Sequence, residues 1–176
     1  MLTDHYRAMA RYNRWMNRRL YEHCGALGDG DRRRDLGAFF RSVHGTLNHL
    51  LLADRVWLAR LSGDPARGQS LAADGTVIQV TGLDQELYGD FARLRREREK
   101  TDEEIERWVD SLTEAMLAAP LRYRSMNGTP FEHPTWWAVS HLLNHQTHHR
   151  GQVTTLLMQL GVDPGVTDLL QMLRTE

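Results

Sequence analysis

Four of the nine histidines lie within nine residues, in the run His141-Leu142-Leu143-Asn144-His145-Gln146-Thr147-His148-His149. Neutral imidazole is the commonest metal ligand in proteins, and two imidazoles one helical turn apart can close on a single divalent ion. The segment reads as helix, so at about 100° per residue His145 and His149 share a face. His141 with His145 has the same spacing, and His148 follows His145 at i+3. The apolar residues decide among these pairs: Ala138, Val139, Leu142, Val153, Leu156, Leu157 and Leu160 occupy one broad arc. His149 points well inside that arc and His145 lies at its edge, whereas His148 turns out with Asn144 and Thr155 and His141 falls between. Metal sites in helical bundles use inward-facing side chains, which selects His145 and His149. The alternative is that these are ordinary histidines satisfied by hydrogen bonds.

A third donor comes from an earlier helix, expected from about Arg34 to Leu61 and stopped by Ser62-Gly63-Asp64-Pro65. Its polar strip is Arg41, His44, Asn48, Arg55 and Ser62; Phe40, Val43, Leu47, Leu50, Leu51, Trp57 and Leu61 lie on the remaining arc. On that strip His44 reads as a surface histidine. His49 instead projects among Leu52, Ala53 and Val56, where an unpaired imidazole would be costly to bury. His49 is therefore the natural third ligand. Asp54 also points into the apolar arc, either as a carboxylate behind the ligands or as a structural group bonded to an arginine.

The elements that must carry these residues follow in order. Thr3 or Asp4 can cap a first helix reaching about Cys24, with Leu2, Tyr6, Met9, Asn13, Met16 and Leu20 forming its inward stripe. Asn13 is an amide at an inward position, so it either specifies packing or reaches the site. Residues 63 to 82 read as a crossing loop with a short extended piece at Thr76 to Val80. A third helix is expected from near Asp84 to about Asp110, its middle a solvated mix of both charges from Arg93 to Arg107. Thr113 to Met116 can form one short turn. Asn127-Gly128, between Leu121-Arg122-Tyr123-Arg124-Ser125 and Thr129-Pro130-Phe131-Glu132, is a hairpin signal. Pro134 opens the last long helix, which Gly161 ends near Leu160, and Val166 to Leu173 reads as a short final helix. The fold class is all-α: four long helices with a crossover and a small β-hairpin before the last.

The chain's 176 residues make one ordinary domain, 1–176, with the apolar and charged fractions of a soluble protein, 41% and 26%. A net charge of −1 argues against nucleic acid or an anionic membrane as partner. Asp31-Arg32-Arg33-Arg34-Asp35 is locally basic but flanked by acids, a solvated helix entry. The single cysteine, Cys24, has no internal partner and points to a reducing cytoplasm, as does the polar start Met1-Leu2-Thr3-Asp4-His5. Cys24 itself reads as a small hydrophobe.

Taken together, these segments resemble the DinB/YfiT family of bacterial four-helix-bundle metalloproteins, in its DinB branch. The matching pieces are Tyr12-Asn13-Arg14-Trp15-Met16-Asn17, His44-Gly45-Thr46-Leu47-Asn48-His49-Leu50, Ala53-Asp54-Arg55-Val56-Trp57, Tyr123-Arg124 and Asn144-His145-Gln146-Thr147-His148-His149-Arg150-Gly151-Gln152. They cover essentially the whole chain in order. The resemblance implies a three-histidine divalent site that matches His49, His145 and His149, and a homodimer. Some relatives join a low-molecular-weight thiol to an electrophile, which implies a thiol partner without naming it.

Three neutral histidines leave coordination positions open, as catalytic zinc sites do. Zinc or nickel suits such a set first; iron, cobalt and manganese are also compatible. In the His-Glu-x-x-His proteases the residue after the first ligand is a general base; here it is Gln146, which cannot take a proton. No Glu-x-x-His pair exists for a carboxylate di-iron centre. The expected function is a metal-dependent thiol S-transferase or hydrolase, with Asp54, Asn13 and Gln152 as candidate supports for the ligands. The alternative is a non-catalytic, damage-inducible protein whose metal staples two helices.

Overall fold

The computed structural model describes residues 1–175. Four long helices carry the fold: α1 (Leu2–Gly25), α3 (Val43–Ser62), α4 (Phe91–Asp110) and α6 (Thr135–Gln159). Shorter helices are α2 (Asp29–Arg33), α5 (Glu114–Ala118) and α7 (Leu169–Thr175), and strands β1 (Pro120–Arg124) and β2 (Pro130–Pro134) form an antiparallel hairpin before α6. Packing runs in a ring: α1 lies against α4 and α6, and α3 lies against the same two.

Two apolar cores fill the bundle, and their membership fixes the helix directions. Tyr6 and Ala10 of α1 and Ala138, Leu142 and Leu143 of α6 share one core with Leu58, Leu61, Ile105 and Trp108. Met16 and Leu20 of α1, Leu47 and Leu51 of α3, Leu94 of α4 and Val153 and Leu157 of α6 share the other. The N-terminal halves of α1 and α6 thus lie beside the C-terminal halves of α3 and α4. Helices α3 and α4 therefore run the same way, and the chain must travel back along the bundle between them. That is why a long crossover, expected at residues 63 to 82, is present; it extends to residue 90.

Between the two cores lies a layer of polar side chains, one level deep in every long helix. Arg98 of α4 meets the Asp54 carboxylate of α3 at 2.6 Å and Asp102 at 2.8 Å. Asn17 donates to Asp102 at 2.9 Å, Arg150 donates to Asn13 Oδ1, and Gln146 donates to Asp54. Asp54 and Gln146 have no exposed surface. The mixed charges of α4 from Arg93 to Arg107 read as a solvated face; Arg98, Thr101 and Asp102 are buried instead. Charges at i and i+4 on that helix face inward because α1, α3 and α6 supply complementary groups.

The middle of the α3 strip is also inverted. His44, Asn48 and Arg55, expected to face solvent, are buried under the crossover. Asn48 Oδ1 accepts from the backbone N–H groups of Leu87 and Tyr88 at 2.9 Å each, and Arg55 pairs with Glu97 at 2.6 Å. A crossover lying on a helix needs partners for its backbone, and the strip provides them. The same loop delays α4, which begins at Phe91 rather than near Asp84, with Asp90 as its cap, accepting from Arg93 N–H at 2.7 Å.

Helix α3 starts at Val43, not near Arg34. Arg41 sits at φ 67°, and Ser42 caps the helix by accepting from Gly45 N–H at 3.0 Å. The residues before it form a hook that brings Phe40 back over the helix. A Cβ on Gly45 would lie 2.2 Å from the Phe40 carbonyl oxygen, so only glycine permits that approach. The extended piece at Thr76 to Val80 is reduced to one bridge between Leu71 and Val77. Leu2, placed on the α1 stripe, is exposed, and Thr3 donates to Glu114 at 2.9 Å instead of capping. Cys24 is fully buried, which pushes its thiol up to about 12 and fits its reading as a hydrophobe.

Candidate metal centre

His49 of α3 and His145 and His149 of α6 converge at the seam between those helices. No two of the three donor atoms are more than 4.8 Å apart, and His49 Nε2 lies 3.1 Å from His145 Nε2. Two nitrogens on one tetrahedral zinc, each at about 2.0–2.1 Å, lie roughly 3.3 Å apart. The spacing therefore suits a single ion after a small side-chain adjustment.

The ring protons are arranged for the same end. His49 Nδ1 faces the Leu83 carbonyl at 2.7 Å; a carbonyl only accepts, so Nδ1 carries the hydrogen and Nε2 keeps its lone pair. His149 Nδ1 lies 2.7 Å from Gln152 Oε1, which holds that ring in the same tautomer. Donor histidines are characteristically fixed in this way, by an acceptor on the remote nitrogen. His145 Nδ1 is buried without a partner.

Burial, partly offset for His49 by its bond to Leu83, lowers that imidazole to about 4. Burial first, then the neighbouring imidazoles, brings His145 down to about 3, and burial also lowers His149. All three rings are neutral at pH 7 and need shed no proton to bind a cation. Phe40, carried by the hook, stacks on His49 with ring centroids 3.7 Å apart and meets His149 edge-on at 5.5 Å.

The remaining sequence candidates fall elsewhere or behind the rings. Gln152 supports His149. Asp54 and Asn13 belong to the polar layer inside the bundle, and Asp54 has the structural arginine partner weighed for it. Gln146 points into that layer too, so the position of the protease general base does not face the histidines at all. His148 is exposed beside Gln152 at 3.4 Å, and His141 lies against Trp57 with centroids 5.0 Å apart. His44 is a buried histidine, not a surface one: its Nε2 is 3.0 Å from the Tyr88 carbonyl. Phe40 and the Leu83 carbonyl were not foreseen as site groups. Phe40 looked like one more residue of a helical arc, although Gly37 and Ser42 around it mark a break; a backbone carbonyl leaves no sequence signal.

Two clefts meet at the histidines. One, about 610 Å³, has Phe39, Phe40, Asp84 and Gln152 on its walls; the other, about 520 Å³, has Trp57, Arg60, Met126 and His141. His49, His145 and Leu83 line both.

The fold and this constellation define a class: a helical bundle with a three-histidine group, open to a cleft on either side, that could hold a metal ion. The DinB family model matches residues 1–176, and the chain belongs to the DinB family. Protein DinB of Bacillus subtilis (strain 168) is 25% identical over 159 residues, 89% of this chain and 87% of that protein. The crystal structure of a DinB-like protein from Bacillus cereus ATCC 10987 superposes with a TM-score of 0.58 at 20% identity, covering 86% of this chain and 90% of that one. That likeness carries the fold. Among the described residues no helix is long and apolar enough to cross a membrane.

Proposed function

We propose that this protein is a divalent-metal-dependent enzyme of the thiol S-transferase or hydrolase type, acting in the cytoplasm as a homodimer. His49, His145 and His149 hold the ion, zinc or nickel before iron, cobalt or manganese. The observation that carries the reading is the combination of three neutral imidazoles, two with their remote nitrogens already bonded, at the junction of two clefts. A purely structural site is closed by its protein ligands; this one has room for an exogenous molecule. A bound divalent ion would supply Lewis acidity, easing loss of a proton from a thiol or water near neutral pH. The chain's own residues orient the donors through Leu83 and Gln152, pack Phe40 against two of the rings and admit the reactants through the clefts. In the transfer reaction the thiol releases its proton to solvent and sulfur bonds the electrophilic carbon. The leaving group departs with its electron pair.

The second reading is a structural ion, favoured by the fact that the donors come from two helices and would join α3 to α6. Elemental mass spectrometry on the parent, His49→Ala and His149→Ala separates these readings when combined with melting curves and turnover of a thiol with a chromogenic aryl halide. About one ion per chain in the parent, almost none in the variants, and lost turnover with an intact helical dimer support the enzyme. A sharply lowered melting temperature with no substrate responding supports the staple. Unchanged metal in both variants excludes the site. Light scattering of the parent tests the dimer.

A further inference from the structure

The two clefts differ in charge. On the Phe40 side the wall includes Asp84 and no lysine or arginine; on the hairpin side it includes Arg60 and no aspartate or glutamate. In a chain with 23 acidic residues, most arginines near the helix seams are paired, as Arg55 is with Glu97 and Arg98 with Asp54. Arg60 has no carboxylate at ion-pair distance among the described residues. Its guanidinium lies over the rings of Trp57 at 4.9 Å and Tyr123 at 5.0 Å, so the hairpin that carries Tyr123 helps to set its position. A guanidinium lying against aromatic rings keeps its N–H edge available, and that edge matches a carboxylate with two parallel hydrogen bonds. Partial burial, opposed by Tyr123, lowers the Arg60 pKa.

We infer that the hairpin-side cleft receives a carboxylate of the substrate, with Arg60 as the recognising cation and the substrate's reacting end at His49, His145 and His149. The inference rests on the function proposed above and names the class of molecule it would use. Arg60 follows His49 by 11 residues on α3. That is about 16 Å along the helix between their backbones. The substrate is therefore an elongated molecule with its anion well removed from its reacting atom. Asp84 repels a second anion from the opposite cleft, which leaves the Phe39 and Phe40 side to an apolar or cationic portion.

S-Methylglutathione and its diethyl ester form a suitable probe pair, since the blocked sulfur removes any dependence on metal chemistry. Calorimetric titration of metal-free and zinc-loaded parent is expected to give about tenfold tighter binding of the free acid than of the ester, the size of one charge-assisted bond. Arg60→Gln brings the two affinities together. Arg60→Lys, which keeps the charge and loses the planar fork, retains about a third of the preference. Equal affinities in the parent, a preference that survives Arg60→Gln, or no binding of either probe at millimolar concentration would overturn the subsite. Metal stoichiometry measured on the same samples reports separately on the histidines. A parent without metal that still prefers the acid through Arg60 leaves the subsite standing and removes the proposed enzyme.

Discussion

Consecutive residues of α6 serve two different polar sites. His145 and His149 face the clefts, while their neighbours Gln146 and Arg150 face the bundle interior. The interior site is shut off from solvent: Arg98 lies between Asp54 and Asp102, Arg150 lies near the second acid, and the amides of Asn17 and Gln146 donate to the two carboxylates. Asp54 Oδ1 and Arg98 Nε have no hydrogen-bond partner among the described residues. The cleft site has the opposite character, with no acid among its donors and three basic nitrogens facing a common point. Buried charges with matched partners serve to fix one packing; neutral donors held apart from their natural partners are arranged for something that arrives. The same helix can serve both because one residue of rotation, about 100°, separates the two faces.

The largest effect should come from opening the closed site. Arg98→Met keeps most of the side-chain volume but leaves two buried acids with only Arg150 nearby. Loss of one partner from a buried ionic group costs about 3–5 kcal/mol, and a shift of the denaturant midpoint of the metal-free protein measures it. A loss below about 1 kcal/mol would show that water or rearranged amides carry the acids unaided. In the open site the matching change is smaller and of a different kind. Gln152→Ala removes the acceptor that holds His149 in its tautomer, so metal affinity should fall about 10- to 100-fold. The metal-free stability should move by no more than about 0.5 kcal/mol. Competition with a chromogenic chelator reads the first quantity and urea unfolding the second; a large stability loss with unchanged affinity would place Gln152 with the closed group.

The two sites were unequally legible in the chain. The open one rests on short-range spacing: His145 and His149 are one turn apart, and His49 stands among Leu52, Ala53 and Val56. The four long helices, the crossover and the Asn127-Gly128 hairpin carry comparable local signals. The closed site breaks the premise by which faces are assigned. Reading apolar residues as inside and charged ones as outside places Arg98 and Asp102 in solvent, and likewise His44, Asn48 and Arg55. Their partners lie far away in sequence, as Asp54 does from Arg98, and nothing local announces them. The late starts of α3 and α4 have the same origin. The hook needs Arg41 in a left-handed conformation and Gly45 beneath Phe40, and Leu87 and Tyr88 are held by Asn48; both depend on contacts across the fold rather than on propensity.

His44 offers the smallest and most discriminating comparison, because it has a ligand's residue type in a closed setting. Its Nε2 faces the Tyr88 carbonyl at 3.0 Å and Arg33 at 3.3 Å, with Glu86 at 3.7 Å. Burial, reinforced by the Arg33 charge and opposed by Glu86 and the Tyr88 carbonyl, lowers its pKa below the usual 6.5. A histidine lowered in the folded state stays neutral while the unfolded chain takes up a proton, so stability is lost as pH falls below about 6.5. His49, His145 and His149 add to the same slope in the metal-free protein, since they are lowered too. His44→Gln should therefore flatten the acid side of the stability curve by one proton's share, no more than about 1 kcal/mol between about pH 6.5 and 5.5. It should leave metal content at the parental level, because His44 lies outside the group formed by His49, His145 and His149. Metal loss in that variant would join His44 to the open site, and an unchanged acid slope would mean that the folded protein protonates this ring as readily as the unfolded chain does.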